Sequence, residues 1–204
     1  MMLEKRTFLR KEPKCNFNDF YYFPNAFTDE MIEKTHSMIY NGKYKFKKGK
    51  TGYGDNVDTK ETNNRDIAYV PLQDDSEWIY EILFEMVLEA NTNLFNFDID
   101  QVTDQLHYVK YPAESGHLDW HMDIGRGFVN QRKIATTVQL SDPDDYDGGD
   151  FQCWYGGQNG FINLPREKGD VLMFPSFFMH RVTPIKRGER KALVFWTGSS
   201  KPFR

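Results

Sequence analysis

The feature that most constrains this 204-residue chain is a change of hydrophobic period near residue 102. From there on, apolar residues fall in short runs: QLHYVKY, GHLDWHMD, IATTVQL, GDFQCWY, GFINL, GDVLMFP, MHRVTPI and KALVFWT. Turn chemistry such as DPDDYDGGD and REKGD separates them. Seven or more short runs at roughly 8–12-residue spacing suit strands and leave no room for helices, so they predict an antiparallel sandwich or barrel.

Upstream the period is helical. Thr28 is placed as an N-cap, Asp29 and Glu30 favour the positive first turn, and Met31, Ile32, Thr35, Met38 and Ile39 form one stripe that stops at Asn41-Gly42. His36 lies beside that stripe and reads as a boundary histidine. A second helix spans 74–90 with an Asp74…Glu77 capping pattern and Ile79, Ile82, Leu83, Met86, Val87, Ala90 and Leu94 on one face. Residues 17–25 have aromatic-rich strand character, 65–72 read as a short strand, and the lysine- and glycine-rich stretch 43–64 reads as a loop and a candidate clamp over a site. The expectation is one domain over 1–204: a helical N-terminal support region, 1–100, packed outside an all-β core, 101–204.

Charge and cysteine usage narrow the function classes. A formal charge of −4 from well-mixed residues offers no basic stripe for nucleic acid. Cys15 and Cys153 are distant and form no CxxC, which argues against a disulfide framework or a thiolate zinc site. The start MMLEKRTFLRKEPK lacks an apolar signal core, and no run approaches the length of a membrane span, so a cytoplasmic protein of bacterial or phage type is expected.

The chemistry concentrates at DWHMDIG, 119–125. In an extended strand, His117, Asp119, His121 and Asp123 share one face, opposite Leu118, Trp120 and Met122. A His and an Asp at i and i+2 can reach one metal, and His180, after the apolar run VLMFPSFFM, can supply a third ligand. Periodicity alone does not separate His117/Asp119 from His121/Asp123. Two imidazoles and a carboxylate leave open positions on an octahedral Fe(II). Zinc hydrolases use similar ligands, but no HExxH is present. Arg190, ten residues after His180 at the head of an apolar run, is suited to grip a carboxylate deep in the barrel.

These residues resemble the Fe(II)- and 2-oxoglutarate-dependent dioxygenases, in particular their prolyl 4-hydroxylase-like branch. The HxD…H…R order of His121, Asp123, His180 and Arg190 carries the resemblance, together with YDGGDF, KGDVLMFPS, HRVTP and RGERKALVFW, over about residues 102–198. The resemblance implies a mainly β fold with flanking α-helices around a double-stranded β-helix, or jelly roll. It implies Fe(II) on His121, Asp123 and His180, with Trp120 preceding the ligand histidine as in relatives. 2-Oxoglutarate would be the cosubstrate, its distal carboxylate on Arg190, with contacts from Tyr111 and Gln139, and dioxygen would be consumed. Trp196 would be a core or cosubstrate-wall ring. The implied activity is hydroxylation of an aliphatic C–H bond, foremost in a peptidyl proline, coupled to decarboxylation of 2-oxoglutarate to succinate and CO2. A free amino acid, small metabolite or nucleobase as substrate, or a non-catalytic metal-binding jelly-roll module, are the alternatives. The implied partner is a peptide, protein or small molecule, with no membrane or nucleic acid, and nothing in the sequence sets an oligomeric state.

Overall fold

The computed structural model describes residues 20–50, 63–157, 160–201 and 203, so Cys15 and residues 51–62 of the polar stretch lie outside the described residues. The first half contains β1 (Tyr21–Phe23), α1 (Asp29–Tyr40), β2 (Lys47–Lys48), β3 (Asn63–Asn64), β4 (Asp66–Val70) and α2 (Glu77–Ala90). Then come β5 (Gln101–Val102), β6 (Leu106–Tyr111), β7 (His117–His121), β8 (Arg132–Gln139), β9 (Asp147–Gly148) and β10 (Phe151–Trp154). The chain closes with β11 (Phe161–Asn163), β12 (Val171–Pro175), β13 (His180–Val182), β14 (Ile185–Arg187) and β15 (Arg190–Gly198).

Two antiparallel sheets form the jelly roll. The major sheet runs β1-β12-β8-β15-β6-β4-β2, with β5 paired to β15; the minor sheet runs β11-β10-β13-β7-β3. Between them lies one apolar layer that includes Val109, Phe151, Phe174, Val182 and Trp196. A second layer fills the space between the outer face of the major sheet and the helices, where Ile79, Leu83 and Val87 meet Tyr108, Val138, Leu193 and Phe195. The major sheet is therefore covered on both sides, which is why β8 and β12 are buried along almost their whole length. Such strands read as near-continuous apolar runs.

Both helices form, and the first is capped as expected: the Met31 N–H donates to Thr28 Oγ1 at 3.3 Å, and Gly42 follows with φ +89°. The second corrects the sequence reading. Its N-cap is Ser76, with no side-chain cap, because the Ser76 hydroxyl is engaged upstream, donating to the Pro71 carbonyl at 2.7 Å. The Asp74…Glu77 capping pattern is not used. The stretch 43–64 is also not all loop: β2 extends the major sheet along β4, and β3 pairs with β7 at the edge of the minor sheet. Residues 20–100 thus contribute strands to both sheets as well as the two helices. His36 sits at a boundary, its Nδ1 3.0 Å from the Tyr108 hydroxyl. The KGD turn is a tie point, where the buried Asp170 carboxylate accepts from Tyr22 Oη at 3.0 Å and from the backbone N–H of Asn25 and Glu167. Among the described residues no helix is long and apolar enough to cross a membrane.

Candidate metal centre and adjoining cavity

The two candidate ligand histidines come from adjacent strands. His121 ends β7, His180 begins β13, and they pair directly across the minor sheet with ring centroids 4.1 Å apart. The pairing is irregular: Val182 faces Leu118, so two steps along β13 match three along β7. This bulge overturns the expected alternation. Leu118 and His121 line the same cavity, while His117 and Asp119 do not. The extra residue breaks the period of two, so the two His-x-Asp pairs do not share a face. Asp123 lies beyond the strand, where its N–H and that of Ile124 donate to the Ser176 carbonyl at 2.9 and 3.2 Å.

Each imidazole donates its Nδ1–H to a backbone carbonyl two residues earlier, His121 to Asp119 at 2.8 Å and His180 to Phe178 at 2.9 Å. That fixes the tautomer and leaves each Nε2 lone pair available. Both Nε2 atoms approach Asp123, His121 at 3.6 Å from Oδ1 and His180 at 3.6 Å from Oδ2. One ligand atom from each of the three lies within 4.8 Å of the others. Burial alone would raise the Asp123 carboxyl, but the His180 and His121 imidazoles beside it override that and hold the group well below the usual carboxylate range. Burial, with His121 alongside, brings the His180 imidazole down to about 4. Neutral imidazoles beside an ionised carboxylate are the protonation state that metal ligation requires. Three ligands of this kind suit a divalent ion that keeps open positions.

The major sheet supplies the other wall of the same cavity. Arg190, 2% exposed, heads β15 directly opposite Tyr111 on β6, and its guanidinium lies 5.2 Å over the Tyr111 ring. Its Nη2 donates to Gln139 Oε1 at 2.8 Å, while Gln139 Nε2 is buried with no hydrogen-bond partner. No carboxylate pairs with Arg190 among the described residues. A buried guanidinium that lines the cavity without a carboxylate partner is the complement of an incoming carboxylate. The glycine pair of YDGGDF makes room here. At φ +65°, Gly149 takes a conformation that side chains resist, and a Cβ on it would press against Ile185 and lie 3.2 Å from Arg190 Cδ.

The structure therefore gathers His121, Asp123, His180, Arg190 and Tyr111 around one cavity, with Gln139 behind Arg190 and Trp196 in the wall. Among the cavity residues that went unmarked in the sequence, two carry titratable side chains, His107 and Arg65. The available signal was strand parity, since His107 keeps step with Val109 and Tyr111, and Arg65 with Ile67. Burial, followed by the Arg65 charge, lowers the His107 imidazole to about 4.

Fold and site together define the class, a jelly-roll domain with a candidate metal site of two histidines and a carboxylate. Residues 106–198 match the model of the 2OG-Fe(II) oxygenase superfamily, which bears out the resemblance read from the motifs. A PKHD-type hydroxylase of Pseudomonas aeruginosa is 39% identical over 93 residues, covering 41% of this chain and 39% of that protein. The chain thus spans about two fifths of the length of that curated relative. A prolyl hydroxylase of Trichoplax adhaerens, solved with a peptide fragment of the hypoxia-inducible-factor oxygen degradation domain, superposes at a TM-score of 0.71 with 18% identity, covering 89% of this chain and 84% of that one. HygX of Streptomyces hygroscopicus, solved with nickel, 2-oxoglutarate and hygromycin B, superposes at 0.62 with 15% identity, covering 90% and 84%. Both share the fold.

Proposed function

We propose that this protein is an Fe(II)- and 2-oxoglutarate-dependent dioxygenase that hydroxylates an aliphatic C–H bond of a peptidyl proline. The carrying observation is the pairing, in one cavity, of a His121/Asp123/His180 cluster with a buried arginine that has no carboxylate partner among the described residues. His121, Asp123 and His180 would hold the metal through two Nε2 atoms and a carboxylate oxygen. Arg190 would take the distal carboxylate of 2-oxoglutarate, with Gln139 behind it orienting the guanidinium through Oε1. Tyr111, stacked under Arg190, would flank the same carboxylate. With iron and 2-oxoglutarate bound, the site would supply the overall conversion of R–H, 2-oxoglutarate and O2 to R–OH, succinate and CO2. The apolar walls, Leu118, Phe174 and Val182, exclude water from the reacting centre. The Trichoplax neighbour, solved with a peptide, supports a peptidyl substrate.

The test is anaerobic titration with Fe(II) and then 2-oxoglutarate, following the visible charge-transfer absorption of the chelate. Wild type is expected to develop the band, His180→Ala to lose it, and Arg190→Gln to need far more 2-oxoglutarate for it. On admitting oxygen, succinate should form in step with hydroxyproline in proline peptides. A wild-type protein that takes up Fe(II) yet shows no band at saturating 2-oxoglutarate would refute the cosubstrate assignment.

A further inference from the structure

Arg65 lies between β3 and β4, where the chain leaves the minor sheet for the major one. It keeps step with Ile67, which pairs with Val109 and packs in the layer between the sheets, so its side chain turns inward and lines the cavity. The Nε is buried and has no hydrogen-bond partner. No carboxylate among the described residues pairs with its guanidinium, and the adjacent Asp66 is taken by Lys48 at 2.9 Å. The position is built. The Gly49 N–H donates to the Arg65 carbonyl at 2.8 Å, and a Cβ on Gly49 would stand 2.7 Å from both Arg65 Cγ and Nε. The arginine stem therefore runs over a bare glycine. His107 reports where the charge sits, since after burial itself Arg65 is the strongest influence on that imidazole.

The cavity thus holds two cations with different surroundings. Arg190 is deep, hydrogen-bonded to Gln139 and stacked on Tyr111. Arg65 is only half-buried, at the seam of the two sheets, and is uncommitted. A partly desolvated guanidinium without a counter-charge is unfavourable until an anion reaches it, and its fork favours a carboxylate. We propose that Arg65 binds a carboxylate of the primary substrate, so that the enzyme selects a proline carrying its own terminal carboxylate or one beside an acidic side chain. This rests on the 2-oxoglutarate reading, which assigns Arg190 to the cosubstrate.

The test uses Fe(II)-loaded protein saturated with 2-oxoglutarate under anaerobic conditions, the charge-transfer band confirming both. Probe pairs differing by one charge are compared by ligand-observed NMR: N-acetylproline against its amide, and acetyl-Pro-Asp-amide against acetyl-Pro-Asn-amide. In at least one pair the acid should bind roughly tenfold or more tightly than its neutral partner, and the pair that discriminates identifies the source of the carboxylate. Arg65→Gln should erase that preference while 2-oxoglutarate affinity changes less than about twofold. Gly49→Ala, which displaces the arginine without removing it, should weaken the preference in the same direction. Absence of the band in wild type would remove the cosubstrate reading and this proposal with it. With the band present, the proposal alone is overturned if no acid outbinds its neutral partner, or if Arg65→Gln weakens 2-oxoglutarate binding as Arg190→Gln does.

Discussion

His107 and His180 are both imidazoles brought down to about 4, with burial the main cause in each. An unfolded histidine titrates near 6.5, so between roughly pH 6.5 and 4 the unfolded chain binds more protons than the folded one. Stability contributed by neutral burial is thus complete above about pH 6.5 and is lost as the pH falls towards 4. Each histidine accounts for roughly 3 kcal/mol across that window. In metal-free protein, Tm should drop markedly from pH 7 to pH 4.5, and His107→Gln should flatten the drop because one of the two proton-linked groups is gone. Parallel Tm curves for the two proteins would show that His107 is not held neutral by the fold. In LHYVKY only strand parity with Val109 and Tyr111 marked this histidine. Its burial comes from a layer between two sheets that are assembled from distant segments.

At the level of elements, the candidate ligand set was legible because a His-x-Asp pair, a distant histidine and an arginine before an apolar run each need only local sequence to be seen. The choice between the two His-x-Asp pairs was not legible from periodicity, since the bulge exists only through the pairing of β7 with β13. It puts His121 beside His180 and leaves His117 outside the cavity, its Nδ1 donating to the Ser115 carbonyl at 2.6 Å. Isothermal titration with Fe(II) or a redox-stable surrogate such as Mn(II) should therefore find His117→Ala within about twofold of wild type. His121→Ala should fall by more than the roughly 10–100-fold that loss of an outer-shell partner costs. The reverse ranking would mean that the register of β7 is wrong. The capping of α2 was missed for a related reason: Ser76 is drawn to the Pro71 carbonyl, a contact within the turn that a capping pattern does not encode.

For the molecule as a whole, the double-layered core carries a cost at its centre. Arg190 is 2% exposed and meets no carboxylate among the described residues, so the folded protein retains a desolvated charge in its interior. Replacing buried ionic groups with well-packed apolar ones of similar volume is often neutral or stabilising by roughly 1–4 kcal/mol. The pair Arg190→Met with Gln139→Leu removes the charge together with the amide that hydrogen-bonds it, leaving neither partner stranded. Its Tm without cosubstrate should rise by a few degrees, at about 2–4 °C per kcal/mol for a chain of this size. Wild type, in turn, should gain about 2.7 kcal/mol when metal-loaded and given 2-oxoglutarate at a hundredfold over Kd, whereas the double variant gains nothing. Differential scanning calorimetry with and without 2-oxoglutarate measures both effects. A double variant less stable than wild type would mean that the Arg190–Gln139 contact and the stacking on Tyr111 hold the barrel together. A more stable variant blind to 2-oxoglutarate would show a fold that keeps a destabilising cation in place for the anion it binds.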